Sequence, residues 1–327
     1  MVQILVVGTG SMGWNHARVC SSLGSLVGVC DQSEEAAARA GHQYSVPSFS
    51  SLDSAIRECN PDALIIATPT TTHLEVLKTA IQSKLHALIE KPIANDIKEA
   101  EEIFEALDGT EIICSVGHIE RYNPVIMKAK EIISGREFGE VITTSSRRVS
   151  NFPGRIRDVG VLLDLGIHDI DNSIYLMGSN PVSVYCVGGT NNKIDFEDHV
   201  TMIIHFENGR SSVVEVNWIT PMKVRKISMT CDEAFIDIDY MSQEIMISSS
   251  NFVELNQPSK FQPQIQFETK SIPVEKREPL LLEIEDFVSS IEKGKPPMVS
   301  VDDGILALRV AEAAKESLNT GKVIPIV

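Results

Sequence analysis

Three side chains in this sequence have the types and settings needed to move a proton. Asp164 and His168 stand four residues apart in Asp164-Leu165-Gly166-Ile167-His168-Asp169-Ile170-Asp171, which on a helix is about one turn. A carboxylate one turn before an imidazole can orient the ring and tune it for general acid–base work. Leu163, Ile167, Ile170, Ile174 and Met177 form an apolar helical stripe, and Asp164, His168, Asp171 and Tyr175 form a second stripe beside it. Gly178 and Pro181 end the helix. The second stripe lacks the Lys, Arg and Glu of an ordinary solvated face. An Asp–His pair that only satisfies a buried helix would read the same way, so the pair needs a reaction to serve. The third side chain is Lys91, in Glu90-Lys91-Pro92 after the strand-like run Leu85–Ile89. An ammonium there can hydrogen-bond a substrate hydroxyl or share in its proton transfer. Asp169, Asp171 and Tyr175 read as supporting residues.

The reaction comes from the first third of the chain. Val2–Val7 reads as a buried strand, Gly8-Thr9-Gly10-Ser11-Met12-Gly13 follows, a helix pattern runs to Leu23, and the strand Leu26–Cys30 ends in Asp31. In a strand, G-x-G-x-x-G, helix, strand, acid order, the first Gly permits the turn and the second admits a pyrophosphate. The third lets the helix pack closely on the strand. Asp31 is placed for a ribose 2′-OH and would repel a 2′-phosphate, so NAD is the expected cofactor. Oxidising an alcohol with NAD then needs a proton acceptor near neutral pH. His168 is the natural one, with Asp164 to orient it and Lys91 to stabilise alkoxide charge.

Further elements must position these groups. Ser50–Cys59, Thr72–Ser83 and Asn95–Leu107 read as helices, the last capped by Asn95, and Asp62–Ala67, Leu85–Ile89 and Glu111–Val116 as strands. Short buried strands alternating with helices predict a doubly wound parallel sheet, with ligands outside the carboxyl ends of its strands. His73 falls at the start of the helix after Thr68-Pro69. Beyond Gly117 the pattern changes to consecutive strands, from Val141–Val149 through Ile265–Ser271, closed by two amphipathic helices. That predicts an α+β domain on a largely antiparallel open sheet. The expected division is residues 1–118 for NAD and 119–327 for substrate binding and oligomerisation.

Composition limits the partners. The 327 residues are 43% hydrophobic and 23% charged, with formal net charge −16. This disfavours nucleic acid and anionic membranes. Yet Arg147, Arg148, Arg155 and Arg157 fall within twelve residues, a cluster that suits a phosphate or carboxylate or else pairs with nearby acids. Cys20, Cys30, Cys59, Cys114, Cys186 and Cys231 show no CxxC spacing. Without a secretory leader pattern or a membrane-length apolar run, a reduced cytoplasmic protein is expected. No Cys/His set has metal-ligand spacing, so no metal is expected.

Taken together, Gly8–Gly13, Asp31, Ala67-Thr68-Pro69 with His73, Glu90-Lys91-Pro92 and Asp164-Leu165-Gly166-Ile167-His168-Asp169 resemble the Gfo/Idh/MocA oxidoreductase family. The resemblance implies a Rossmann domain and a second domain whose open sheet packs in homodimers or homotetramers. It implies that Lys91, Asp164 and His168 are catalytic. It adds Thr68, Pro69, His73, Glu90 and Lys91 to the cofactor set of Gly8, Thr9, Gly10, Ser11, Met12, Gly13 and Asp31. Gly117-His118-Ile119-Glu120-Arg121-Tyr122-Asn123-Pro124 and Phe152-Pro153-Gly154-Arg155-Ile156-Arg157-Asp158 are similar to segments of family enzymes that oxidise UDP-N-acetylglucosamine-type sugars at C3. This implies His118, Arg121, Asn123, Arg147, Phe152, Arg155, Arg157 and His168 as substrate-binding residues and an anionic nucleotide sugar as substrate. Ser150-Asn151 and Pro153-Gly154 depart from that pattern, so an inositol or free-sugar dehydrogenase or reductase stays open. So does a non-catalytic NAD-binding regulator.

Overall fold

The computed structural model describes residues 2–153, 159–191, 195–253 and 264–326. In chain order the elements are β1 (Ile4–Val7), α1 (Ser11–Ser22), β2 (Leu26–Cys30), α2 (Glu34–Tyr44), β3 (Ser48–Phe49), α3 (Leu52–Cys59), β4 (Ala63–Ile66), α4 (His73–Gln82), β5 (His86–Glu90), α5 (Ile97–Leu107), β6 (Cys114–Gly117) and α6 (Pro124–Ser134). Then follow β7 (Val141–Asn151), α7 (Ile167–Met177), β8 (Pro181–Gly189), β9 (His199–Phe206), β10 (Ser211–Asn217), β11 (Ile219–Cys231), β12 (Phe235–Asp239), β13 (Glu244–Val253), β14 (Gln264–Ile272), α8 (Pro279–Lys293), α9 (Val301–Thr320) and β15 (Ile324–Pro325).

The first compact unit comprises Met1–Tyr122 and Glu278–Arg309. Its six strands pair in parallel in the order β3-β2-β1-β4-β5-β6. β1 and β4 are buried at every position, as strands covered on both faces must be. Strand order reverses between β1 and β4, which makes the carboxyl ends of these neighbours the crevice for a ligand. α8 returns to this unit from the later part of the chain. Its Leu280, Ile284 and Phe287 join the apolar core built by Ile4, Val6, Ala17 and Ile65. Burying each such side chain is worth roughly 1.5–3 kcal/mol, which is why the helix is held here. The cap of α5 is Asp96 rather than the expected Asn95: Asp96 Oδ1 accepts from Glu99 N at 2.9 Å, and Glu99 Oε2 accepts from Asn95 N at 3.1 Å. The reciprocal pair is a capping box shifted by one residue.

The second unit comprises Asn123–Arg277 and Val310–Val327. Its nine-stranded sheet runs β14-β13-β12-β11-β7-β10-β9-β8-β15. Every neighbouring pair is antiparallel except β7 and β10. β9 alternates buried and exposed residues along its length, the signature of a sheet covered on one face only. α7 packs on the covered face against β7 and β10.

Candidate active site

The loop between β1 and α1 is shaped by its glycines. Gly8 has φ of +89°, and a Cβ there would lie 2.5 Å from the Ala67 carbonyl oxygen. A Cβ on Gly13 would lie 1.7 Å from the Gly8 carbonyl oxygen. Gly10 faces open space and is the N-cap of α1, where it has no side chain of its own to cap the helix. Bare N–H groups at a helix N-terminus, with the positive end of the helix dipole, are suited to a phosphate. Ser11 begins the helix exposed, while Met12 packs against the apolar core.

Asp31 stands at the end of β2. Its Oδ2 accepts from Thr9 N at 2.7 Å and Thr9 Oγ1 at 2.9 Å, and its Oδ1 accepts from Ser33 N at 2.9 Å. Partial burial alone would raise its pKa; these three hydrogen bonds outweigh burial and hold the carboxyl below its usual range. Thr9 thus serves the site through Asp31. A cavity of about 660 Å³ opens from this carboxylate to Thr68 and Pro69, lined also by Gly8, Gly10, Gln32, Ser50, Ser51, Leu52 and Asp53. Among the described residues no Lys or Arg lines it; Arg39 lies in the adjoining hollow with Thr9, Gly10 and Ser11. An open glycine at a helix N-terminus, a hydrogen-bonded acid at the end of β2 and a cleft of this size fit NAD. The segment Ser50–Asp53, which no sequence motif marked, forms the cavity's far wall.

His73 is buried rather than in this cavity. Its Nδ1 lies 3.2 Å from the Ile93 carbonyl oxygen and its Nε2 3.1 Å from that of Thr68. It joins the loop after β4 to the segment after β5, and burial pushes its pKa down. Glu90 is also buried, with Oε1 2.7 Å from His16 Nε2 and Oε2 accepting from Lys91 N at 3.2 Å. Lys91 itself is half-buried at the carboxyl end of β5.

In the second unit, Asp164 lies in a π-helical turn, Leu162–Gly166, that runs directly into α7. The Asp164–His168 spacing therefore starts in a wider turn than the α-helix that the spacing predicts, a feature that recurs at functional sites. From Ile167 to Ile174 every residue is buried except His168. Asp169 is 1% exposed and takes a hydrogen bond from Arg148 Nε at 2.5 Å. The Arg148 guanidinium lies 5.2 Å over the Tyr240 ring, and Asn172 Nδ2 donates to Tyr240 Oη at 3.0 Å. A buried pair satisfied in this way fixes the helix rotation, and with it the direction of His168. Asp171 is buried and Tyr175 half-buried.

The residues assigned to substrate by resemblance divide between the two units. Arg147 points away from α7: it is largely exposed and pairs with Glu215 at 2.7 Å, while its neighbour Arg148 faces the helix. Successive strand residues point to opposite faces, so the arginine that meets α7 is Arg148, and Arg147 stands on the open face. His118 is buried. Arg121 is buried and pairs with Asp303 at 3.0 Å within the first unit. Asn123 caps α6 and donates to the Tyr240 carbonyl oxygen at 3.2 Å. Phe152 meets Trp218 edge-on at 5.6 Å between ring centroids. Arg155 and Arg157 lie outside the described residues.

Known proteins share both halves of this arrangement. Residues 2–118 match a family model described as an oxidoreductase family with NAD-binding Rossmann fold, and residues 126–237 match the GFO/IDH/MocA C-terminal domain. The chain is 29% identical over 310 residues to a UDP-N-acetylglucosamine 3-dehydrogenase of Acidithiobacillus ferrooxidans, covering 94% of each chain. A solved structure of that enzyme superposes with TM-score 0.86, at 27% identity, covering 97% of each chain. A scyllo-inositol 2-dehydrogenase (NAD(+)) of Bacillus subtilis is 27% identical over 99% of this chain and 96% of its own. The fold is shared with an oxidoreductase from Agrobacterium radiobacter solved with NAD⁺, L-tartaric acid and magnesium, at TM-score 0.87 and 18% identity, covering 99% of this chain and 98% of that one.

Proposed function

Since this chain belongs to the Gfo/Idh/MocA family of NAD-binding oxidoreductases, we propose that it oxidises C3 of a UDP-N-acetylglucosamine-type nucleotide sugar to a ketone. It is an NAD-dependent dehydrogenase acting on CH–OH donors; the identity of the sugar is our inference. The observation that carries it is the likeness to a UDP-N-acetylglucosamine 3-dehydrogenase across 94% of both chains. Charge supports it. A UDP group needs cations, which a chain of net charge −16 otherwise spreads thinly. With Arg147 committed to Glu215 and Arg148 to Asp169, Arg155 and Arg157 are the arginines we assign to the diphosphate.

Bound NAD⁺ supplies the acceptor for the hydride leaving the sugar carbon. We assign His168 to accept the hydroxyl proton, because it alone among Ile167–Ile174 escapes burial. Asp164 orients the imidazole, and Lys91 stabilises charge on the oxygen that loses the proton. The cofactor is held by Gly8, Gly10 and the bare end of α1 at its phosphates and by Asp31 at a ribose.

A second reading, an inositol or free-sugar dehydrogenase, is favoured by the 27% identity to the scyllo-inositol enzyme over 99% of this chain. Incubation with NAD⁺ and a panel of UDP-sugars, myo-inositol and free hexoses, followed by NADH absorbance, separates the two. We expect turnover of UDP-N-acetylglucosamine that falls on mutation of Arg155 and Arg157. Turnover of neutral polyols alone, indifferent to those arginines, would replace the first reading with the second.

We further propose a homodimer or homotetramer assembled through the open sheet face. Tyr185, Val187, Ile203, Phe235 and Met246 are exposed there, an apolar area that invites a partner. Light scattering that reports a monomer would reject this. No helix among the described residues is long and apolar enough to cross a membrane. The six cysteines are unpaired, and burial pushes the thiols of Cys20, Cys114 and Cys186 up to about 12. We take the cytoplasm as the compartment on that basis.

A further inference from the structure

Behind the carboxyl end of β5, the first unit buries more ionisable groups than binding a dinucleotide requires. Glu90 is enclosed, with His16 of α1 at 2.7 Å from one oxygen and the Lys91 backbone N–H at 3.2 Å from the other. The end of β6 is pressed against it: a Cβ on Gly117 would lie 3.3 Å from Glu90 Cδ. α8 packs against α1 and against the turn Ile119–Tyr122, and Glu283 on that helix is 0% exposed. Both Glu283 carboxyl oxygens are buried without a hydrogen-bond partner. Asp286, one turn on, is different: its Oδ2 accepts from Tyr122 Oη at 2.9 Å and from Met298 N at 2.8 Å.

A buried ionised carboxylate without donors is very costly. A helix that needed only an apolar contact at position 283 would carry Leu or Met. Glu283 is instead within electrostatic reach of Glu90 on β5 and Asp286 on its own helix. Tyr122 on the 3-10 turn feels both Glu283 and Asp286.

We propose that Glu283 and His16 are positioning residues for Lys91, acting through the Glu90 carboxylate that lies between His16 and the Lys91 backbone. The two carboxyls divide their roles. Burial works against the charge on Glu90, but the hydrogen bond and charge of His16 and the charge of Lys91 hold its pKa below the usual range. Burial first, then the charges of Glu90 and Asp286, push Glu283 well above it. Glu283 therefore stands as the neutral acid while Glu90 keeps its charge, the arrangement expected where two carboxyls cannot both ionise. A neutral Glu283 leaves the Glu90 charge to act on His16 and Lys91. An ionised Glu283 would compete for both and release the end of β5. This rests on Lys91 serving the reaction, as proposed above.

The sign of the linkage is definite. A carboxyl whose folded pKa is raised contributes stability that is full below its ordinary pKa and is lost as pH rises towards the folded value. Gln copies the neutral acid without that loss. Glu283→Gln should therefore match the wild type in thermal stability near pH 4 and exceed it increasingly towards pH 8. If Glu283 is ionised in the fold, Glu283→Gln will instead be less stable at pH 8, and the proposal falls.

The positioning itself is read on Lys91. Reductive methylation of the folded NAD-free protein with formaldehyde and cyanoborohydride, quantified by peptide mass spectrometry, compares Lys91 with exposed Lys98 as internal control. Glu283→Leu and His16→Phe should change the Lys91 rate more than about threefold relative to Lys98, with Glu283→Gln and His16→Gln restoring it. Should the aromatic variant fail to fold, Glu283→Leu against Glu283→Gln carries the comparison alone. Equal Lys91 rates in all folded variants would overturn the proposal. A changed Lys91 rate with unaltered turnover in Lys91→Ala would preserve the positioning and reject the role assigned to Lys91.

Discussion

Two helices serve this enzyme by opposite means. α1 offers its backbone: Gly10 at its start faces open space and brings no side chain of its own to the helix end. α7 offers a side chain: its residues from Ile167 to Ile174 are packed on every side except at His168. The phosphate site we propose at α1 needs backbone N–H groups within reach of a ligand, so α1 is built by omission of a side chain at Gly10. The proton acceptor we propose, His168, needs one ring aimed correctly, so α7 is built by over-determination, with the Arg148–Asp169 pair and the Asn172–Tyr240 hydrogen bond fixing its rotation. Sequence motifs preserve the first device directly, because only glycine meets its steric demands. The second is distributed over β7, α7 and Tyr240, which no local pattern connects.

The comparison breaks most sharply at α7. Arg148→Ala removes the buried cationic partner of Asp169 and should cost about 3–5 kcal/mol, measured by denaturant unfolding, with activity falling along with stability. A smaller loss would mean that α7 is held by its apolar stripe alone. On the other helix, Gly13→Ala places a methyl at 1.7 Å from the Gly8 carbonyl oxygen. The loop must move, at a cost of about 1–3 kcal/mol, and NAD affinity measured by calorimetry should fall with it. Asp31→Ala should weaken NAD about tenfold, the loss of one hydrogen bond to a charged group, and should narrow the preference over NADP. Its hydrogen bonds also make a pH prediction. A carboxyl held below its usual range contributes stability above its ordinary pKa of about 4 that is lost as pH falls below it. The stability curves of Asp31→Ala and wild type should therefore converge in acid. The smallest effect belongs to Arg147→Ala, which removes an exposed ion pair worth about 0.2–1 kcal/mol. A cost at Arg147 equal to that at Arg148 would erase the distinction between the faces of β7.

The neighbouring arginines show where reading the sequence stopped. Strand alternation says that Arg147 and Arg148 face opposite ways, but which face is covered depends on where α7 packs and on the register shift between β7 and β11 near Cys231. Neither is local. The Rossmann half was legible almost throughout because buried strands and a glycine-bound turn are local signals. α2 escaped even there: Glu34–Tyr44 has a Ser33 cap and acidic first turn but fills its inner face with Ala37, Ala40 and Gly41, which makes a weak stripe. Glu283 was illegible for the opposite reason. It reads as an ordinary polar member of an amphipathic helix, and only the return of α8 to the first unit buries it. The π-helical turn at Leu162–Gly166 has no sequence signature at all, and it changes the spacing argument that first pointed to Asp164 and His168.

The central claim is that His168 takes the proton as the hydride leaves. The direct test is His168→Asn, assayed for NADH formation at saturating NAD⁺ and sugar across about pH 5–8, the range in which an imidazole ordinarily changes charge, with NAD affinity measured in parallel. We expect a kcat lowered about 10²–10⁴-fold, loss of the pH-dependent limb, and unchanged NAD affinity and fold. A kcat equal to that of the wild type in a folded, NAD-binding variant would contradict it.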